Sequence, residues 1–361
     1  MPSTNPIRPA GRALKQLSQL QKRTYSSKNP PSPAQPLTSP FAPRHLLSIA
    51  DLTPTEFSTL LSNASSHKTA IKSGVTPAAL AGKLSGKTIA LMFSKRSTRT
   101  RVSTEAAVTS MGGHPMFLGS GDIQLGVNES LYDTSVVISS MVSAMVARVN
   151  AHDEVANLAK HSSVPVINAL SADFHPLQTI ADFVTIQETF GKEKVQGLKV
   201  AWVGDANNVL FDLAIGCLKM GVDIAVAAPA GYEIPAAMKQ LILASAPKGS
   251  TAKLTETNVP EEAIKGSDIL VTDTWISMGQ EEESAKRLKA FAGYQITEEL
   301  ARRGGAKDSW RFMHCLPRHS EEVDDEVFYG RRSLVFPEAE NRLWAAISAL
   351  EGFVVNKGNI V

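Results

Sequence analysis

Cysteine is nearly missing: Cys217 and Cys315 are the whole supply in 361 residues. Two thiols cannot build the disulfide framework of a secreted domain. With no CxxC pair and no Cys/His cluster, a structural zinc site is not expected either. No uninterrupted apolar run is long enough to cross a bilayer, which excludes insertion as a membrane helix. Acidic residues are absent from residues 1–50, which hold seven of the 37 Lys and Arg side chains. The formal charge of +2 therefore hides a mildly acidic body, with 30 basic against 35 acidic side chains after residue 50. That balance excludes a broad nucleic-acid surface.

In the acid-free start, Arg8, Arg12, Lys15, Lys22 and Arg23 alternate with Leu14, Leu17 and Leu20. A cationic amphipathic helix of this kind reads as a mitochondrial presequence, to be set aside from fold reasoning. We expect a targeting segment and lead-in over 1–36, delivery to the mitochondrial matrix, and cleavage after Tyr25 in Arg23-Thr24-Tyr25-Ser26. Residues 28–43, rich in Pro and Ser, read as a disordered lead-in. An ordinary disordered tail is the competing reading.

Beyond Ala50, short apolar runs at 88–93, 144–149, 164–168, 199–203, 223–228, 268–273 and 310–314 alternate with helical patterns at 53–72, 102–111, 152–161 and 208–220. This alternation predicts an α/β fold with two doubly wound parallel-sheet domains. Pro176 to Phe190 reads as a hinge helix, and a C-terminal helix over 337–353 is expected to pack back on the first domain. The expected domains are 37–182, completed by 338–361, and 183–337. Cys217, in the middle of an apolar helical pattern, reads as a buried inert thiol.

Polar clusters fall where ligands bind in such sheets, at the carboxyl ends of strands. Ser94-Lys95-Arg96-Ser97-Thr98-Arg99-Thr100-Arg101 crowds four cations into a strand-to-helix junction. A helix N-terminus is already electropositive, so a bound phosphate or phosphonate is the natural compensation, with paired guanidiniums for a dianion. His175-Pro176-Leu177-Gln178 opens the hinge helix. There a neutral imidazole could donate to a carbonyl oxygen and Gln178 could accept from an amide; a capping histidine with a solvent-facing Gln178 is the plainer reading. Asp273, four residues before Ser277, suits an ammonium group, although an Asp at a strand end is often only a helix cap. His314-Cys315-Leu316-Pro317-Arg318 places Cys315 beside His314, Arg318 and His319, neighbours that favour thiolate character. Gly204-Asp205-Ala206-Asn207-Asn208-Val209 lacks the second and third glycines of the dinucleotide fingerprint, which disfavours an NAD-dependent dehydrogenase.

Taken in order, Ser97-Thr98-Arg99-Thr100-Arg101, His175-Pro176-Leu177-Gln178, Asp273 through Gly279 and His314-Cys315-Leu316-Pro317 resemble the signature of the carbamoyltransferases, the ornithine branch more than the aspartate branch. The likeness runs from about His45 to Phe353. It implies that Ser97, Thr98, Arg99, Thr100 and Arg148 bind the phosphate of carbamoyl phosphate, and that His175 with Thr100 polarises its carbonyl. It further implies that Gln178 and the backbone carbonyls of Cys315 and Leu316 hold the carbamoyl nitrogen, while Arg342 closes the site. Asn208, Asp273, Ser277 and Met278 would bind ornithine, with Cys315 near the attacking amine. His114 resembles a residue lent by a neighbouring subunit, which implies a homotrimer. Ser94 replaces a Glu and Thr104 a Phe found in many relatives; neither change removes an expected ligand.

The implied reaction moves the carbamoyl group to the δ-amine of L-ornithine, giving L-citrulline and phosphate, a step of arginine biosynthesis and the urea cycle. It asks for no metal and no organic cofactor. The expected partners are the two small substrates, without nucleic acid or membrane insertion. Rival readings are a carbamoyltransferase for putrescine or N-acetylornithine, and a non-catalytic anion-binding protein of the same fold.

Overall fold

The computed structural model describes residues 43–121, 129–276 and 281–360. The expected targeting segment, 1–36, lies outside them. Among the described residues, nine strands form two wholly parallel sheets. The first is ordered β2-β1-β3-β4, from β1 (Thr88–Phe93), β2 (His114–Gly119), β3 (Ala144–Arg148) and β4 (Val166–Leu170). The second is ordered β7-β6-β5-β8-β9, from β5 (Lys199–Val203), β6 (Asp223–Ala227), β7 (Leu254–Thr257), β8 (Ile269–Val271) and β9 (Arg311–Met313).

Central strands such as β1, β3 and β5 are buried almost throughout, which is why they read as continuous apolar runs. The two strands invisible in the pattern are both edges. β2 (HPMFLG) carries Pro115 and is half-exposed; β7 (LTET) is short and polar. β4 starts two residues later than the apolar pattern, after Pro165, which has no N–H to give a ladder.

The hinge helix Pro176–Phe190 is buried from Pro176 to Gln187. The helix Asn208–Met220 lies so close to it that a Cβ on Gly216 would come within 2.8 Å of Phe183 Cε2. The C-terminal helix Val335–Leu350 starts two residues before Pro337, which falls in its first turn. It packs on the hinge helix and on the helix Thr98–Ser110, and Ser348 Oγ donates to the Leu60 carbonyl at 2.7 Å. The C-terminus thus returns to the first sheet's layer, as the sequence pattern predicts.

In each sheet the strand order reverses at one place, between β1 and β3 and between β5 and β8. Adjacent strand-end loops part there and leave a crevice. Those crevices position the polar clusters at the strand ends.

Candidate active site

One cleft of about 1040 Å³ is lined by residues that follow β1, β3, β4, β5, β8 and β9, together with Arg342 of the C-terminal helix. After β1 the chain turns into a helix at Thr98, four residues earlier than the periodicity suggests, because Ser97 caps it by accepting from the Thr100 N–H at 3.2 Å. Its first turn therefore carries Arg99 and Arg101 to different faces. Arg101 bonds Glu105 and lies over the Phe117 ring at 3.7 Å, away from the cleft. The guanidinium pairing expected within the motif is thus corrected. Arg99 is joined in the cleft by Arg148, at the end of β3, and by Arg342.

None of these three guanidiniums forms an ion pair among the described residues. Arg99 donates to the Leu316 carbonyl, and Arg342 donates to Gln178 Oε1 at 2.6 Å and Thr100 Oγ1 at 3.2 Å. Burial and the other guanidiniums pull Arg148 and Arg342 down to about 10. Three buried or half-buried cations without counter-ions make a socket for an anion with several oxygens.

His175 forms no side-chain cap bond, and its buried Nδ1 has no partner among the described residues, so the capping reading fails. Burial first, and then Arg342, Arg148 and Arg99, hold its pKa well below the ordinary value. The imidazole is neutral, as expected. Gln178 also lines the cleft; it is buried, not solvent-facing.

On the opposite wall Asp273 is no helix cap. Its Oδ1 accepts from Cys315 Sγ at 3.1 Å and its Oδ2 from Asn207 Nδ2 at 2.8 Å. The expectation of a thiolate-leaning Cys315 is overturned, because burial and the Asp273 carboxylate push its thiol well above the ordinary range. The presumed cations are engaged elsewhere: Arg318 pairs with Asp325, and the His314 ring lies 3.4 Å from Glu322. Cys217 is buried with its thiol likewise pushed up. Leu316 adopts a left-handed backbone, φ 63°, where a side chain is disfavoured; its carbonyl is the one that meets Arg99.

Asp273, His314 and Cys315 bring ligand atoms within 4.8 Å of one another. In the chain as it stands the thiol donates to Asp273 and His314 Nδ1 accepts from the Leu316 N–H. Both groups are therefore already engaged.

Among the expected site residues, Ser97, Arg99, Thr100, Arg148, His175, Gln178, Asn208, Asp273, Cys315, Leu316 and Arg342 line the one cleft. Asn208 spends its amide on the Ser171 carbonyl at 2.6 Å. Thr98, exposed on the helix start, and His114, exposed at the head of β2, do not line it. Ser277 and Met278 lie outside the described residues. Sequence reasoning missed the role of Asn207 as the Asp273 partner, and the carboxyls of Asp182 and Glu338 behind Gln178.

The two parallel sheets and the crevice define a two-domain α/β protein whose cation-lined socket suits a multi-oxygen anion and faces the Asp273 wall. Residues 44–188 match the carbamoyl-P binding domain of the aspartate/ornithine carbamoyltransferases, and residues 196–352 match their Asp/Orn binding domain. The mitochondrial ornithine carbamoyltransferase of Aspergillus niger is 72% identical over 349 residues, 94% of each chain. A crystal structure of a mitochondrial ornithine carbamoyltransferase from Coccidioides immitis is 67% identical, with TM-score 0.84 over 89% of this chain and all of that one. The ornithine carbamoyltransferase of Pyrococcus furiosus is 42% identical, with TM-score 0.81 over 88% of this chain and 98% of the other. The chain belongs to the aspartate/ornithine carbamoyltransferase family.

Proposed function

We propose that the protein transfers the carbamoyl group of carbamoyl phosphate to the δ-amine of L-ornithine, producing L-citrulline and phosphate. The observation that carries this reading is the meeting of three guanidiniums without carboxylate partners and a neutral His175 with the Asp273–Cys315 pair across one cleft. In this reading Ser97, Arg99, Thr100 and Arg148 hold the phosphoryl group, and Thr98, outside the cleft, contributes at most through the backbone of the helix start. As the amine attacks, charge gathers on the carbonyl oxygen. Arg148, His175 and Thr100 stabilise it, each donor being worth about 3–4 kcal/mol. Thr100 can serve because Arg342 occupies only an acceptor position of its hydroxyl, leaving the proton free to donate. The C–N bond forms, the C–O bond to phosphate breaks, and by atom balance the proton shed by the amine ends on phosphate.

Asp273, Asn208, Ser277 and Met278 hold ornithine, with the Cys315 thiol, protonated by its surroundings, beside the amine. His114 serves a neighbouring subunit's cleft in a homotrimer. What supports that role is that His114 is exposed at the head of β2 and stands outside this chain's own cleft. The acid-free basic start and the mitochondrial relatives support residence in the matrix. The domains of this reading are 37–182 completed by 338–361, and 183–337. Incubating pure protein with carbamoyl phosphate and a panel of amines tests the reading. Citrulline from ornithine, with putrescine and N-acetylornithine far slower, is expected; equal or better turnover of another amine reassigns the substrate.

A further inference from the structure

Behind the cleft lies a buried carboxyl pair that the reaction itself does not use. Asp182 sits one turn after Gln178 on the hinge helix, and Glu338 one turn before Arg342 on the C-terminal helix; both are buried. Gln178 Nε2 donates to Asp182 Oδ1 at 2.8 Å and to Glu338 Oε1 at 2.9 Å, so both of its N–H bonds are used. Its Oε1 accepts from Arg342 at 2.6 Å. Two carboxyls on one side and a guanidinium on the other satisfy only this orientation of the amide. Because the Oε1 has a second lone pair and Gln178 lines the cleft, the side chain can meet a ligand only as an acceptor. Glu338 Oε2 also accepts from the His314 N–H at 2.9 Å, so one side chain ties the C-terminal helix, the hinge helix and the end of β9 together. Burial pushes both carboxyls above their ordinary range.

We propose that Asp182 and Glu338 are positioning residues that fix the Gln178 amide as an acceptor, and thereby select a donor whose acyl carbon bears N–H over one bearing a methyl group. The inference rests on the carbamoyl-donor reading above. A carbamoyl group presents an N–H to the free lone pair of Oε1, whereas an acetyl group of similar size leaves that lone pair buried and unmet. Glu338→Gln removes one of the acceptors facing Gln178 and His314 and offers an N–H instead, so Gln178 gains reason to turn its carbonyl away from the cleft.

The test compares dissociation constants of carbamoyl phosphate and acetyl phosphate, by calorimetry, on wild-type protein and on Glu338→Gln and Asp182→Asn, with thermal melting to follow the fold. Wild-type protein should prefer carbamoyl phosphate by at least about ten-fold, the worth of one hydrogen bond. Glu338→Gln should weaken carbamoyl phosphate by about ten-fold while moving acetyl phosphate by less than about three-fold, so the preference collapses. If Glu338→Gln fails to fold, Asp182→Asn carries the same expectation. A wild-type protein without preference, or folded variants that weaken both donors equally, overturns the proposal. Wild-type protein that binds neither donor and forms no citrulline overturns the carbamoyl reading as well; normal turnover with an unchanged preference removes only the positioning role.

Discussion

Arg99, Arg148 and Arg342 repel one another in the cleft, none of them ion-paired among the described residues, and a ligand with two negative charges relieves that repulsion. Arg99 is the one of the three that is only half-buried, so it can be changed without emptying the core. Arg99→Leu should weaken carbamoyl phosphate binding by roughly ten- to a hundred-fold, since hydrogen bonds to charged groups are worth about 1.5–3 kcal/mol. Calorimetry with the donor and a melting curve check this; unchanged affinity takes Arg99 out of the site. A second prediction concerns protons. The nucleophile must be a neutral amine, whose unperturbed pKa is roughly 10. His175 is already neutral because burial and three guanidiniums hold it far down. The pH–rate profile should therefore rise steadily through pH 6–9 with no limb owed to His175. A bell whose acid limb moves in His175→Asn would contradict it. Most of these residues were legible in the sequence because each stands at a strand end among unusual polar neighbours. Asp182 and Glu338 were harder to read, because a buried carboxyl looks like a surface one until its partners are known.

At the scale of elements, the cleft depends on how closely the hinge helix and the helix Asn208–Met220 approach. Gly216 sets that distance, since any Cβ there meets Phe183 and, at 3.0 Å, Thr179 Cγ2. Gly216→Val should cost about 1–3 kcal/mol of stability by overpacking. Denaturant unfolding measures it, and a variant as stable as the parent means the helices are free to part. The same scale explains what periodicity could and could not reveal. Buried central strands and the hinge helix announce themselves as apolar runs between breakers. β2 and β7 do not, because an edge strand faces water on one flank and needs fewer apolar side chains. The helix start at Thr98 was hidden for a related reason: its first turn is built from cationic ligand groups, with the apolar face beginning later.

For the molecule as a whole, buried titratable groups of opposite sign set the response to acid. His45 and His314 are held at about 4 by burial. The unfolded chain takes up protons below about 6.5 that the fold refuses, so stability drains as pH falls from there towards 4. Asp212 and Glu322 are pushed up by burial to about 7. The fold keeps protons on them that the unfolded chain has shed above about 4, so their contribution grows as pH falls through 7. The two effects offset, and the melting temperature should change by less than about 3 °C between pH 7 and pH 5. A steep decline over that range would show that the carboxyls do not hold their protons. The two substrates must meet between the guanidiniums and the Asp273 wall. The most direct measurement is a crystal structure with a phosphonate analogue that joins the donor to ornithine. The phosphonate should lie against Ser97, Arg99, Thr100 and Arg148, and the ornithine end should lie towards Asp273 and Cys315. Density for that molecule anywhere else, with this cleft unfilled, would contradict the account.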